Sequence, residues 1–380
     1  MRDRKHVVSL VVLLLGIICF LSCIPALPWI IQTVGKPSLS GVAENVRRAD
    51  LQSAYSSHIN NLVSTALDGL IAIPKIYTLP EELAVAPAPR EDCFGSSADT
   101  HDTAGVLERA MERFGLVQTF WSVDRELFPD SAVHWYLDDT IFSVTWKEVH
   151  NSCSFSFSEI KIAHPSQFKR YFADNTFSSP IQYPPTDMAY SVNAVTALSG
   201  DFYKNRTFGT VVYQRQLYRM EGQYLDVCYV DTKGDLNFVH RGELATEEET
   251  RRYVEDNDIL FSLCFGPILI ENGEVVVPDN YLIGEINDIY ARCGICQLGD
   301  CHYLLVTSNS EEPYGNYLTV RDFAQVLHSL GVQKAYTLDG GQTAAMYADG
   351  QLINAVEFGH QRNVSDIIYF VTAYPEENVG

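Results

Sequence analysis

Ala335-Tyr-Thr-Leu-Asp-Gly-Gly-Gln-Thr-Ala-Ala-Met346 runs from a short apolar strand straight into an aspartate and two glycines. A carboxylate at a strand end, followed by two residues without side chains, lets backbone approach a neighbouring segment or a ligand closely. Upstream, Thr319 is placed to N-cap a helix, with Asp322 three residues on. Val320, Phe323, Ala324, Val326, Leu327 and Leu330 then recur at helical spacing. Gly331 sits where a helix C-cap glycine belongs. Gln333–Leu338 reads as a strand, Ala345–Ala348 as another, and Asp349-Gly350 as the two-residue turn before Gln351-Leu-Ile353. The unit is helix, strand, Asp-Gly-Gly loop, hairpin, and Asp339 is the foremost candidate for a chemical role. A tight bend capped by Asp339 is the competing meaning of the same residues.

Working outward, the same alternation of short strands and turns extends upstream. Val133–Tyr136, Thr140–Trp146, Ser154–Ile162, Gly209–Tyr213 and His302–Ser308 have strand composition. Asp231-Thr-Lys-Gly234 and Asn272-Gly273 mark hairpin turns, and Ala104–Phe114 reads as a short helix. No repeat of fixed period occurs. These elements predict an α+β fold, one β-rich mixed-sheet domain with flanking helices over residues 104–380. Leu79–Thr103 is rich in Pro, Ala, Ser and acidic residues, the composition of a linker. Gly41–Ile73 carries weak helical periodicity, so residues 36–103 are expected to be a stalk helix and linker.

The N-terminus sets the expected compartment. Val7–Ile31 contains no charged residue, and Arg2, Arg4 and Lys5 precede it. Such a stretch is long enough to span a bilayer, with the basic tip cytoplasmic. Pro25 and Pro28 end the apolar run beside Trp29. Residues 1–35 therefore predict a cytoplasmic tip and a transmembrane signal anchor, a single pass through the cell membrane with the globular domain extracytoplasmic. A cleaved secretory signal is the rival reading. The formal charge of −21 argues against nucleic-acid binding, which needs basic surface to displace counterions. Outside the apolar segment stand Cys93, Cys153, Cys228, Cys264, Cys293, Cys296 and Cys301, an odd number, so at least one is unpaired within the chain. Cys293-x-x-Cys296 lacks the second ligand pair of a structural zinc site, which leaves a disulfide or buried thiols.

Four ordered motifs carry a resemblance. They are Ala197-Leu-Ser-Gly-Asp-Phe-Tyr203, Phe265-Gly-Pro-Ile-Leu-Ile270, Thr337-Leu-Asp-Gly-Gly-Gln342 with Met346, and Arg362-Asn-Val-Ser-Asp-Ile-Ile368. Over roughly residues 150–373 the chain resembles the phosphodiester glycosidase family, including a subgroup of membrane-anchored bacterial envelope proteins. Two positions depart from the family pattern: Gln342 stands where a third glycine is common, and Cys293 where a small or hydroxyl residue is usual.

The resemblance implies a hydrolase that cleaves the glycosidic bond of sugar-1-phosphodiesters in envelope or secreted glycans. That chemistry suits the residues. The expelled phosphomonoester has a second pKa of about 6, so it leaves without the strong general acid that an ordinary glycosidase needs. What remains is a carboxylate for the sugar carbon or its attacking water, and cations or N–H donors for the phosphate. Asp339 and Asp201 are the candidate catalytic carboxylates. Arg292 and Arg362 are the candidate phosphate ligands, because a guanidinium fork matches phosphate oxygens. Gly340, Gly341, Gln342, Thr343 and Ser365 are the further substrate-binding candidates. No cofactor is required, although Mg²⁺ or Ca²⁺ sites need only oxygen ligands. Two alternatives stand beside this reading: a non-catalytic glycan- or phosphate-binding envelope protein, favoured by Gln342, and a metal-dependent phosphodiesterase.

Overall fold

The computed structural model describes residues 79, 84–221, 223–309, 311 and 317–373. The expected membrane anchor and stalk helix lie outside them. No helix among the described residues is long and apolar enough to cross a membrane.

In chain order the first half forms β1 (Phe94–Ser97), α1 (Ala104–Phe114), β2 (Val133–Leu137), β3 (Ile141–His150), β4 (Cys153–Ile162), β5 (Phe168–Phe172), α2 (Pro185–Ser191), β6 (Thr196–Ser199), β7 (Val211–Tyr213) and β8 (Gln216–Arg219). Next come β9 (Val227–Asp231), β10 (Leu236–Val239), α3 (Glu247–Asp256), β11 (Ile259–Leu263), β12 (Ile268–Glu271) and β13 (Glu274–Val275). The chain closes with β14 (Cys293–Gly299), β15 (His302–Ser308), α4 (Val320–Ser329), β16 (Ala335–Leu338), β17 (Met346–Ala348), β18 (Gln351–Leu352) and β19 (Asp366–Phe370). A nine-stranded sheet runs β1-β2-β3-β4-β15-β14-β16-β12-β13, and a five-stranded sheet runs β18-β17-β6-β19-β5. Smaller sheets of three and two strands are β10-β9-β11 and β7-β8.

Strand alternation explains the layers. In β4, Phe155 and Phe157 pack with α1 and α4 residues, while Ile160 and Ile162 point to the opposite face. There they meet Leu198 of β6, Phe168 of β5 and Ile368 and Phe370 of β19, so the two large sheets share one core. The outer face of the five-stranded sheet, through Ile367 and Tyr369, is covered by Met188 and Ala189 of α2. Both large sheets are thus covered on both faces, and their central strands are buried almost without interruption, polar residues included. β14 shows the consequence. Cys293 and Ile295 face the inter-sheet core and Cys296 faces the α4 side, so Cys293 and Cys296 cannot bridge. All seven cysteines among the described residues are free thiols, and burial raises the pKa of Cys293 and Cys296.

The sheet begins ahead of the boundary expected at 104. Phe94–Ser97 pair with β2, and Phe94 packs edge-on against Tyr136 at 4.6 Å. Ala86 is buried, and its N–H donates to Val192 O at 3.3 Å. Apolar side chains at Ala86 and Phe94 thereby tie a Pro-rich segment to the domain. On β4, Glu159 is fully buried yet fully engaged: it accepts the N–H groups of Phe120 (2.8 Å) and Trp121 (2.7 Å) and pairs with His302 Nε2 at 2.7 Å. This clamp holds the irregular stretch after α1 against the sheet.

Candidate active site

Three strand ends meet at the seam between the large sheets. β6 delivers Gly200-Asp201, β16 delivers Asp339, and β19 opens with Asp366. The Asp339 N–H donates across the seam to Gly200 O at 3.3 Å. A small cleft of about 10 Å³, room for about one water, lies there, lined by Gly200, Asp201, Phe202, Asn205, Asp339, Thr343, Arg362, Asn363 and Ser365 among others.

Two glycines make the convergence possible. A Cβ on Gly200 would overlap the Asp366 carboxylate, and one on Gly340 would lie 2.5 Å from Ala291 O. Without side chains, both loops close in: Gly200 N–H donates to Asp366 O at 3.1 Å, and Gly341 N–H to Ala291 O at 2.7 Å. Gly341 also takes a left-handed φ of 61°. The Thr343 hydroxyl donates to Gly340 O at 2.6 Å and closes the turn after Asp339.

The carboxylates occupy different electrostatic settings. Asp201 and Asp366 are buried side by side. Asp366 is held by Arg170 through Nε and Nη2, each at 2.8 Å, and accepts the Asp201 N–H at 3.1 Å. Asp201 pairs with Arg206 Nη1 at 2.5 Å and Arg170 Nη2 at 3.4 Å, and accepts Cys264 N–H at 2.9 Å. Burial opposes ionising Asp201, but Arg206, Arg170 and the Cys264 N–H outweigh it and hold its pKa below the usual range. Burial dominates at Asp366: with the Asp201 charge adding to it, the carboxyl rises to about 6 despite Arg170. Asp339 rises further, to about 7. Lost hydration is the main cause, Asp201 and Asp366 add to it, and the Thr343 hydroxyl and Arg362 oppose it. A carboxyl that titrates near neutrality at the edge of a cleft is suited to proton transfer. Arg362 is exposed on the cleft rim, its guanidinium 5.7 Å from the centre of the Phe202 ring.

Of the residues singled out in the sequence, Asp339, Asp201, Thr343, Arg362 and Ser365 line this cleft, with Gly340 and Gly341 beside it. Arg292 does not join them. Its guanidinium donates to the carbonyls of Leu318 (2.9 Å), Gly284 (2.9 Å), Glu285 (3.2 Å) and Asp288 (2.5 Å). Burial lowers its pKa to about 10, and it braces the loop ahead of β14 rather than a phosphate. Gln342 turns away as well: its Nε2 donates to His360 O at 3.1 Å and lies 2.9 Å from His360 Nε2. The departure from the family's glycine therefore fastens two loops and leaves the cleft open. Gly341, expected to offer its N–H to a ligand, gives it to Ala291 O instead.

Arg170, Arg206 and Asp366 were not among the residues singled out in the sequence. Asp366 carried a signal, since it sits in the last motif. Arg170 carried none: Phe168-Lys-Arg-Tyr-Phe172 looks like an exposed-edge strand until its ladder with β19 sets Arg170 opposite Ile368, two places from Asp366. Among the described residues, no group of three or more His, Cys, Asp or Glu side chains is arranged to hold a metal ion.

Residues 192–371 match the family model described as phosphodiester glycosidase. Among solved structures, the chain is similar to a zebrafish N-acetylglucosamine-1-phosphodiester alpha-N-acetylglucosaminidase catalytic domain auto-inhibited by its pro-peptide. That likeness covers 61% of this chain and 83% of the other, at 14% identity and a TM-score of 0.48. A hypothetical protein from Synechocystis is similar over 66% of this chain and 65% of its own, at 15% identity and a TM-score of 0.46. No curated protein is a significant match.

Proposed function

We propose, from the phosphodiester glycosidase match over residues 192–371, that this chain hydrolyses the glycosidic bond of sugar-1-phosphodiesters. The observation that carries the reading is the pairing of Asp339, a carboxyl poised near pH 7, with the exposed cation Arg362 on the rim of one cleft. The bond between the anomeric carbon and the phosphate oxygen breaks, and its electron pair leaves with the phosphate. Water adds to the anomeric carbon, and its proton passes to the Asp339 carboxylate. Arg362 neutralises the departing phosphate. Asp201 and Asp366, fixed by Arg170 and Arg206, hold the strand ends that bring Asp339 to the cleft. The apolar, uncharged Val7–Ile31 stretch supports a membrane-anchored, extracytoplasmic placement, with an envelope or secreted glycan as substrate.

Turnover of a sugar-1-phosphodiester in ¹⁸O-water tests the bond. Label in the released sugar is expected; label in the phosphate means cleavage of the P–O bond and sinks the proposal. The role of Arg362 has its own measurement. Arg362→Ala should raise KM for the phosphodiester about 10- to 100-fold, the loss of one charge-assisted contact. Because the side chain is exposed, the melting temperature should barely move.

A further inference from the structure

We propose that Phe202 is a positioning residue that seats the Arg362 guanidinium at the mouth of the Asp339 cleft. Both side chains line that cleft. The guanidinium carbon lies 5.7 Å from the centre of the Phe202 ring, within cation–π range. Among the described residues, the Arg362 side chain has no hydrogen bond and no ion pair, so the ring sets where the cation points. In a chain of net charge −21, an arginine left without a carboxylate partner stays available to an anion from solution. A ring attracts the guanidinium through its π face and uses none of the N–H donors, which a carboxylate would occupy. Those donors are what a phosphate oxygen needs.

The ring is itself built in. Phe265 meets it edge-on, with ring centres 6.5 Å apart and planes at 85°. The residues just before the two phenylalanines are joined as well, since Asp201 Oδ2 accepts the Cys264 N–H at 2.9 Å. Phe202 O accepts the Asn205 N–H at 3.1 Å and closes the turn that follows. Behind Phe265, a Cβ on Gly284 would lie 3.1 Å from the ring, so the loop whose Gly284 O is held by Arg292 packs against it. Arg292 thus supports the Arg362 site at second hand, through Phe265 and Phe202. Core packing does not account for Phe202, which is half-buried and belongs to none of the apolar clusters among the described residues. Only the nature of the anion, a phosphate ester, rests on the hydrolase reading.

The test uses the full chain, with KM for a sugar-1-phosphodiester and calorimetric Kd for glucose 1-phosphate. Phe202→Leu keeps an apolar side chain without a ring, and should raise both constants about three- to tenfold with kcat little changed. Phe202→Tyr keeps the ring face and should restore both. Mono-, di- and trifluorophenylalanine at position 202 weaken the negative face of the ring in steps while keeping its shape. Both constants should climb with fluorine content, and the climb should vanish in the Arg362→Ala background. Constants that stay level across the fluorinated series, or an equal loss from Phe202→Leu with and without Arg362, overturn the proposal whatever happens to the melting temperature. In that case, continued cleavage of the diester leaves the hydrolase reading standing alone. If affinity follows the electron density of the ring but no diester is ever cleaved, the hydrolase reading falls and the positioning role stands. A parent protein that binds neither anion overturns the proposal outright.

Discussion

Asp339→Asn is expected to lower kcat by about 10²- to 10⁴-fold, the usual contribution of a positioned general base. In the parent protein kcat/KM should climb with pH through a midpoint near 7, where the Asp339 carboxyl gives up its proton. The variant should lose that limb. Stability should move the other way from activity. The Asp339 pKa is raised in the fold, so the native state binds a proton that the unfolded chain has already released. Ionising Asp339 therefore costs folded-state stability progressively between the ordinary aspartate value of 3.8 and about 7, and the full cost is present above that window. Asparagine carries no such charge. Asp339→Asn should be more stable than the parent at pH 8 and nearly equal at pH 4. The difference at pH 8 is on the order of 2 kcal/mol, about half of what the full shift would give, because the residue is partly exposed. Denaturant melts at the two pH values check this. Equal stability at both, with normal activity, would show that Asp339 is only a turn residue.

Arg170→Met should damage the fold more than any substitution on the cleft rim. Arg170 is fully buried and faces both Asp366 and Asp201, with its Nη1 also donating to Ser262 O. Its removal leaves two adjacent buried carboxylates with only Arg206 beside them. Breaking such a pair from one side costs about 3–5 kcal/mol, a large part of the 5–15 kcal/mol that typically holds a domain together. Asp366→Asn in the same chain should restore part of the loss, because it removes one of the uncompensated charges. The defect should also shrink as the pH falls and Asp366 takes up a proton. A double-mutant cycle in denaturant measures the coupling. Additive effects of the two substitutions would mean that the Arg170–Asp366 contact is dispensable.

Local chemistry was readable wherever it was local. The α4–β16–loop–hairpin unit could be traced from Thr319 to Ile353 because its cap, its periodicity and its turns lie within a few residues of one another. Asp339 and Asp201 could be nominated because glycines mark the loops that carry them. Arg170 could not, since only its register against β19 reveals that it faces two aspartates from inside the protein. Arg292 failed for the opposite reason. Its guanidinium fork suggested a phosphate ligand, but four backbone carbonyls brought together by a loop fold had the stronger geometric claim. The helix α3 was legible and unread: Thr246 and Glu249 form a reciprocal capping box ahead of it. Cys293 and Cys296 take the second of the two readings left open, buried thiols, because a strand embedded on both faces uses cysteine as a small apolar residue.

The seam between the two large sheets has a consequence for tuning. Asp339 rides on one sheet, Asp201 and Asp366 on the other, and the side chains stacked between the sheets set the gap across which they face each other. Leu338 and Leu198 of that layer, within three residues of Asp339 and Asp201 respectively, act as shims. A methylene added or removed at either would change the spacing of the carboxylates without altering any residue that lines the cleft. The spacing of the three carboxylates in this protein is therefore adjustable from its interior, by volume alone.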